Sequence, residues 1–135
     1  MEVITKNAKE TFELGKSIGS SLKKGEVLAF TGGLGAGKTT FIQGLAEGLG
    51  IKNRIVSPTF ILMRSYGNFY HLDLYRLENN IEKEVENLGL FDIWKDNDNI
   101  VAIEWAEKLG SKWPENTKWI EFENVDENIR KITIS

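Results

Sequence analysis

The chain has 135 residues, 41% of them hydrophobic, with a formal charge of −3 and no cysteine. That length suits one domain, residues 1–135, with a core of its own. The balance of residues argues against disorder, and the missing cysteines exclude disulfides, thiolate metal sites and cysteine nucleophiles. No broad basic footprint is present, so intrinsic nucleic-acid binding is not indicated, and no apolar run reaches membrane-spanning length. Met1 to Glu10 is polar and carries no apolar signal segment, so the expected residence is cytoplasmic.

In chain order, Asn7 to Leu22 reads as an amphipathic helix, with Ala8, Phe12, Ile18 and Leu22 near helical spacing and Thr5 or Asn7 as its cap. Lys23 to Glu26 turns into the apolar run Val27-Leu28-Ala29-Phe30, a strand buried on both faces. Gly32 to Thr39 then spells Gly-Gly-Leu-Gly-Ala-Gly-Lys-Thr, a complete G-x-x-x-x-G-K-[ST] phosphate loop. Thr40 to Leu49 follows with Phe41, Leu45 and Leu49 four apart, and Gly50 stops that helix. Strand, glycine loop, helix is the context that confirms the pattern. A bare turn needs neither the lysine nor the threonine.

Ile51 to Pro58 is a connection. Thr59 to Ser65 and Asn68 to Tyr75 read as a hairpin turning at Tyr66-Gly67-Asn68. Glu82 to Asn87 is an acid-rich helical piece, Leu88 to Trp94 a short helix or turn, and Asp96 to Asn99 a loop. Ile100 to Ile103 is a second buried-strand run, ending on Glu104. Trp105 to Leu109 is short and helical, and Trp119–Phe122 and Ile129–Ile134 read as two last strands. Trp94, Trp113 and Trp119 fit either the core or an interface. The expected fold is α/β: a P-loop NTPase-like three-layer sandwich with a mixed, mainly parallel central sheet and antiparallel additions.

The residue types define the chemistry. Glycines let main-chain N–H groups curl around a polyphosphate, Lys38 places a point charge on the outer phosphates, and Thr39 offers a hydroxyl to Mg²⁺. Glu104, at the end of a buried strand, is the expected second Mg²⁺ ligand, against the plainer role of capping the Trp105 segment. Strand alternation puts His71, Asp73 and Tyr75 on one face. Asp73 then either positions an attacking water or lies on the exposed face of an edge strand; spacing alone leaves both open. His71 reads as structural, and Arg76 as the partner of a local carboxylate rather than an arginine finger.

The chain resembles the bacterial TsaE (YjeE) family. The resemblance rests on residues 33–40 (Gly-Leu-Gly-Ala-Gly-Lys-Thr-Thr), 56–60 (Val-Ser-Pro-Thr-Phe), 71–77 (His-Leu-Asp-Leu-Tyr-Arg-Leu), 88–92 (Leu-Gly-Leu-Phe-Asp) and 103–108 (Ile-Glu-Trp-Ala-Glu-Lys). It implies a P-loop ATPase that needs ATP and Mg²⁺ and supports threonylcarbamoyl transfer to adenosine 37 of tRNA. TsaD-like and TsaB-like partners would carry the transfer and the tRNA contact. It implies nucleotide contacts from Gly33, Leu34, Gly35, Ala36, Gly37, Lys38, Thr39 and Thr40, with Thr11 near the base and Trp105 near the site. Thr39 and Glu104 take the metal. Asp73 becomes the catalytic carboxylate, helped by Lys38 and by Thr59 in a switch-like loop at Ser57-Pro58-Thr59. Gly33 departs from the family's usual Asp.

The competing readings are a stand-alone P-loop small-molecule kinase and an ATP-gated adaptor with incidental hydrolysis. Arg54, Arg64 and Arg76 are unclustered, against a kinase lid. A GTPase would need Asn-Lys-x-Asp and Asp-x-x-Gly strings, which do not occur.

Overall fold

The structure, a computed structural model, describes residues 1–33, 37–55, 62–110 and 112–135. Its elements are β1 (Glu2–Thr5), α1 (Ala8–Ser21), β2 (Val27–Thr31), α2 (Lys38–Gly48), β3 (Met63–Tyr66), β4 (Phe69–Asp73), α3 (Ile81–Asn87), α4 (Leu90–Ile93), β5 (Ile100–Glu104), a 3-10 turn (Ala106–Lys108), β6 (Lys118–Asn124) and β7 (Arg130–Ile134). The strands form a seven-stranded mixed sheet in the order β1-β7-β6-β2-β5-β4-β3. β2, β5 and β4 pair in parallel, while β3–β4, β6–β7 and β1–β7 pair antiparallel. The α/β class with antiparallel additions is therefore as expected. Among the described residues no helix is long and apolar enough to cross a membrane.

The chain divides into two compact units. The first joins Met1–Leu22, Thr31–Ser57 and Trp119–Ser135. Its core includes the buried Ile120 and Ile132 and sets the Phe41 ring edge-on to Phe122, centroids 5.5 Å apart at 89°. α1 is capped by Asn7, whose Oδ1 accepts from Glu10 N at 2.8 Å; Thr5 instead ends a strand. The expected apolar stripe on α1 is not its buried face. Ala8 is exposed and Phe12 and Ile18 are half-buried, whereas Thr11, Gly15 and Gly19 are buried. Small residues win because α1 lies directly on the backbone of α2. A Cβ on Gly15 or Gly19 would sit 2.1 Å from the carbonyl oxygen of Phe41 or Leu45, and one on Gly44 or Gly48 would sit 2.1 or 2.2 Å from that of Phe12 or Lys16. Each glycine Hα thus points at a carbonyl of the other helix, a weak C–H···O contact at close range.

β1 has no counterpart in the expected elements. It is short, Glu-Val-Ile-Thr, with Ile4 exposed, and it is held by backbone pairing to β7 and by the bond from the Met1 ammonium to the Ile134 carbonyl at 2.9 Å.

The second unit joins Lys23–Phe30 and Pro58–Lys118. Alternate residues of its strands, Val27, Leu72, Val101 and Ile103, bury one face against Leu74, Val85, Leu90, Trp94 and Leu109. Trp94 stacks against Phe91 and Trp113, each at 5.4 Å, and so belongs to this core. The hairpin turns at Gly67-Asn68 between the paired Tyr66 and Phe69, with Gly67 at φ 64°. The first residues of the expected strand Thr59–Ser65 lie outside the described residues.

Candidate nucleotide site

The first unit carries the phosphate-loop residues. β2 ends at Thr31, and the chain turns at Gly32 with φ 131°. A Cβ there would come within 2.7 Å of the Phe122 carbonyl oxygen, so conformation and space both demand glycine. Gly33 is exposed, and a Cβ on it would meet nothing within 4 Å among the described residues. Leu34, Gly35 and Ala36 lie outside the described residues, as does Thr59 with the rest of 56–61.

The chain re-enters at Gly37, left-handed at φ 92° and ψ 10°. Its carbonyl accepts from Phe41 N at 3.0 Å and so opens α2. No side chain caps that helix, which leaves its first turn suited to an anion. Lys38 is 5% exposed, and its Nζ donates to the Gly32 carbonyl at 2.6 Å, tying one end of the loop to the other. Thr39 and Thr40 follow half-buried in the first turn.

Thr11 is brought beside this turn. Its Cγ2 lies 3.6 Å from the point a Gly37 Cβ would occupy. Its hydroxyl bonds to Thr5 Oγ1 at 2.7 Å and donates to the Asn7 carbonyl at 3.3 Å. Arg130 reaches the same point, Cγ and Nε each at 3.9 Å. Its Nη1 donates to the carbonyls of Asp126, Glu127 and Ile129, bracing the turn before β7. Nothing in the sequence singled out Arg130. It comes from the far end of the chain, and only the packing of the first unit puts it next to Gly37.

The second unit carries the acids. Glu104 stands level with Phe30 on β2 and with Asp73 on β4. It is only 3% exposed. The 3-10 turn after it has no side-chain cap, so Glu104 is not a capping residue. Its Oε2 lies 2.7 Å from His71 Nε2. His71 itself is fully buried. The face shared by His71 and Asp73 is therefore no exposed edge: β4 lies between β3 and β5. Asp73 is half-buried, and its Oδ1 accepts from Tyr75 N at 3.0 Å, which turns the chain at the strand end.

Trp105 takes up a left-handed conformation at φ 57° and ψ 40°. For a bulky residue this costs about 1–2 kcal/mol. Its ring lies 5.1 Å from that of Tyr75. Lys108 Nζ sits 5.6 Å and 5.5 Å over the two rings and donates to the carbonyls of Tyr75 and Leu77. The turns after β4 and β5 are thus locked together, which fixes the strand ends that carry Asp73 and Glu104.

Comparison with known proteins decides the family. Residues 5–132 match the family described as threonylcarbamoyl adenosine biosynthesis protein TsaE. The chain belongs to the TsaE family. It is 37% identical to the tRNA threonylcarbamoyladenosine biosynthesis protein TsaE of Bacillus subtilis, over 97% of this chain and 82% of that one. It is 36% identical to the TsaE protein of Treponema pallidum, with both chains fully covered. The crystal structure of Bacillus subtilis YdiB superposes with a TM-score of 0.81 at 32% identity, covering 99% of this chain and 83% of that one.

The buried Glu104 carboxylate of this TsaE chain, at a strand end, is a donor that suits a hard divalent cation. Among the described residues no three His, Cys, Asp or Glu side chains gather into a metal cage. Mg²⁺ does not ask for one, since it is held by one or two protein oxygens together with substrate oxygens and water.

Proposed function

We propose that this chain is a Mg²⁺-dependent ATPase, residues 1–135 acting as one catalytic domain, that supports threonylcarbamoyl transfer to adenosine 37 of tRNA in the cytoplasm. TsaD-like and TsaB-like partners carry the transfer and hold the tRNA. The observation that carries the reading is Lys38. It is a buried lysine at the head of an uncapped helix, folded back onto the first carbonyl of its own glycine loop.

In this reading the β- and γ-phosphates lie against main-chain N–H groups from Gly35 to Thr39, within nucleotide contacts running from Gly33 to Thr40, and Lys38 turns from Gly32 toward them. Thr11 borders the base, and Trp105 borders the site from the strand end. Thr39 and Glu104 would hold Mg²⁺, which when bound would supply positive charge against the phosphates. Asp73, with Thr59, orients a water in line with the γ-phosphate and receives its proton. Catalysis is positioning and charge stabilisation. With no residue assigned as an arginine finger, turnover by the chain alone is slow and rises with its partners.

Calorimetry with ATP and Mg²⁺ tests the binding. Lys38→Ala should weaken ATP about 10- to 100-fold, the worth of one charge-assisted contact, while the melting temperature stays close to that of the parent. Absence of magnesium-dependent ATP uptake by the folded protein, alone or with its partners, refutes the reading. In a reconstituted modification assay a non-hydrolysable ATP analogue should stop multiple turnover. Unimpaired turnover with the analogue would instead make the chain an ATP-gated adaptor.

A further inference from the structure

We propose that His71 is a positioning residue that aims the Glu104 carboxylate at the metal; this rests on the ATP and Mg²⁺ reading above. His71 and Glu104 lie on adjacent parallel strands at the diagonal of the register, since His71 is level with Ala102 and Asp73 with Glu104. His71 Nε2 meets Glu104 Oε2 at 2.7 Å, with His71 fully buried and Glu104 nearly so.

The other ring nitrogen is the informative atom. His71 Nδ1 is buried and has no hydrogen-bond partner among the described residues. A carboxylate that ligates a metal only accepts, so in that state Nε2 is the donor of this bond. Among the described residues the glutamate is therefore the one polar contact of the ring. A side chain needed only for volume would be better served by leucine, which buries no orphan nitrogen. A buried imidazole engaged through one nitrogen alone is a device for orienting what that nitrogen touches. With Oε2 fixed, Oε1 is the oxygen presented to a cation. Groups behind a ligating side chain set metal affinity in this way, typically by 10- to 100-fold.

The test measures metal binding rather than turnover. Mn²⁺ serves as the probe, its affinity for the ATP-loaded protein read by water-proton relaxation, and ATP affinity is measured separately in EDTA. His71→Leu should lose about 10- to 100-fold in Mn²⁺ affinity while metal-free ATP affinity changes less than about threefold. His71→Gln, whose amide donor can stand in for Nε2, should restore Mn²⁺ binding to within about threefold. His71→Asn, whose donor falls short of Glu104, should not. Equal Mn²⁺ affinity in the parent and in folded His71→Leu overturns the proposal; so do equal losses in the Gln and Asn variants, the pair that decides if the leucine variant does not fold. A parent protein that takes up ATP but no Mn²⁺ overturns it too. A parent that binds no ATP in EDTA or with metal points instead to failure of the nucleotide reading beneath it.

Discussion

Replacing Gly44 by alanine tests how closely α1 and α2 approach and whether that approach serves the nucleotide site. The new Cβ would lie 2.1 Å from the Phe12 carbonyl oxygen, 2.9 Å from its carbon and 3.0 Å from Lys16 N, where ordinary contact begins at 3.4 Å. Every one of those atoms is backbone, so no rotamer change relieves the overlap, and the helices must part by more than an ångström. Overpacking of this kind costs about 3 kcal/mol, at the upper end of the usual range, because a whole helix has to move. Alanine returns about 1 kcal/mol of helix propensity. The net loss is about 2 kcal/mol, or about 6 °C in melting temperature for a domain of this size. α2 carries Lys38 and Thr39 at its head, so ATP affinity should fall along with stability. Thermal melts followed by circular dichroism and calorimetric titration with ATP read the two effects. Adding Gly48→Ala should cost less than it does alone, because the helices have already separated. A Gly44→Ala protein that melts at or above the parent temperature would show that propensity, not close approach, governs the seam.

Gly32→Ala should destabilise by about 2 kcal/mol, since it adds a Cβ 2.7 Å from the Phe122 carbonyl to a backbone at φ 131°; urea titration measures the loss. Gly33→Asp should leave the melting temperature unchanged, because a Cβ there meets no described atom within 4 Å; a clear fall would show hidden crowding. The Glu2 carboxyl is held below its ordinary range by the hydrogen bond and charge of Lys131, and Lys131 is held above its own by Glu2. The stabilisation from Glu2 is therefore present above the ordinary glutamate value and lost as pH falls through the lowered one. Glu2→Gln should melt slightly below the parent near neutral pH, and the gap should close in acid and in molar salt; a gap that persists in salt would show that the pair is not acting by charge.

Much of the fold was legible because its signals are local. Val27–Phe30 and Ile100–Ile103 are apolar runs that could only be strands buried on both faces, and both are buried in full. β1 was not legible. It is a four-residue edge strand that turns Ile4 outward and buries Thr5, so its side chains give no core pattern, and it is held by backbone bonds to β7. The buried face of α1 was misread for a related reason. Gly15 and Gly19 carry no hydrophobic signal, yet in contact with a second backbone they pack closer than Phe12 or Ile18 can. The spacing Gly15–Gly19 and Gly44–Gly48, one helical turn in each case, was the clue available.

Glu104 was expected at a strand end, and there it is. His71 was assigned to structure because a histidine in a strand says nothing about what it faces. The sequence by itself determined what consecutive residues can decide. Glycines, a lysine and a threonine in one run specify an anion-binding turn, because the chain geometry that cradles a phosphate spans only a few bonds. Only the tertiary structure decided that Asp73, Glu104 and Phe30 stand level, that His71 touches the glutamate, and that Thr11 and Arg130 border Gly37. Those pairings depend on strand register and helix approach between segments far apart in the chain, and burial energy summed over the whole core selects them.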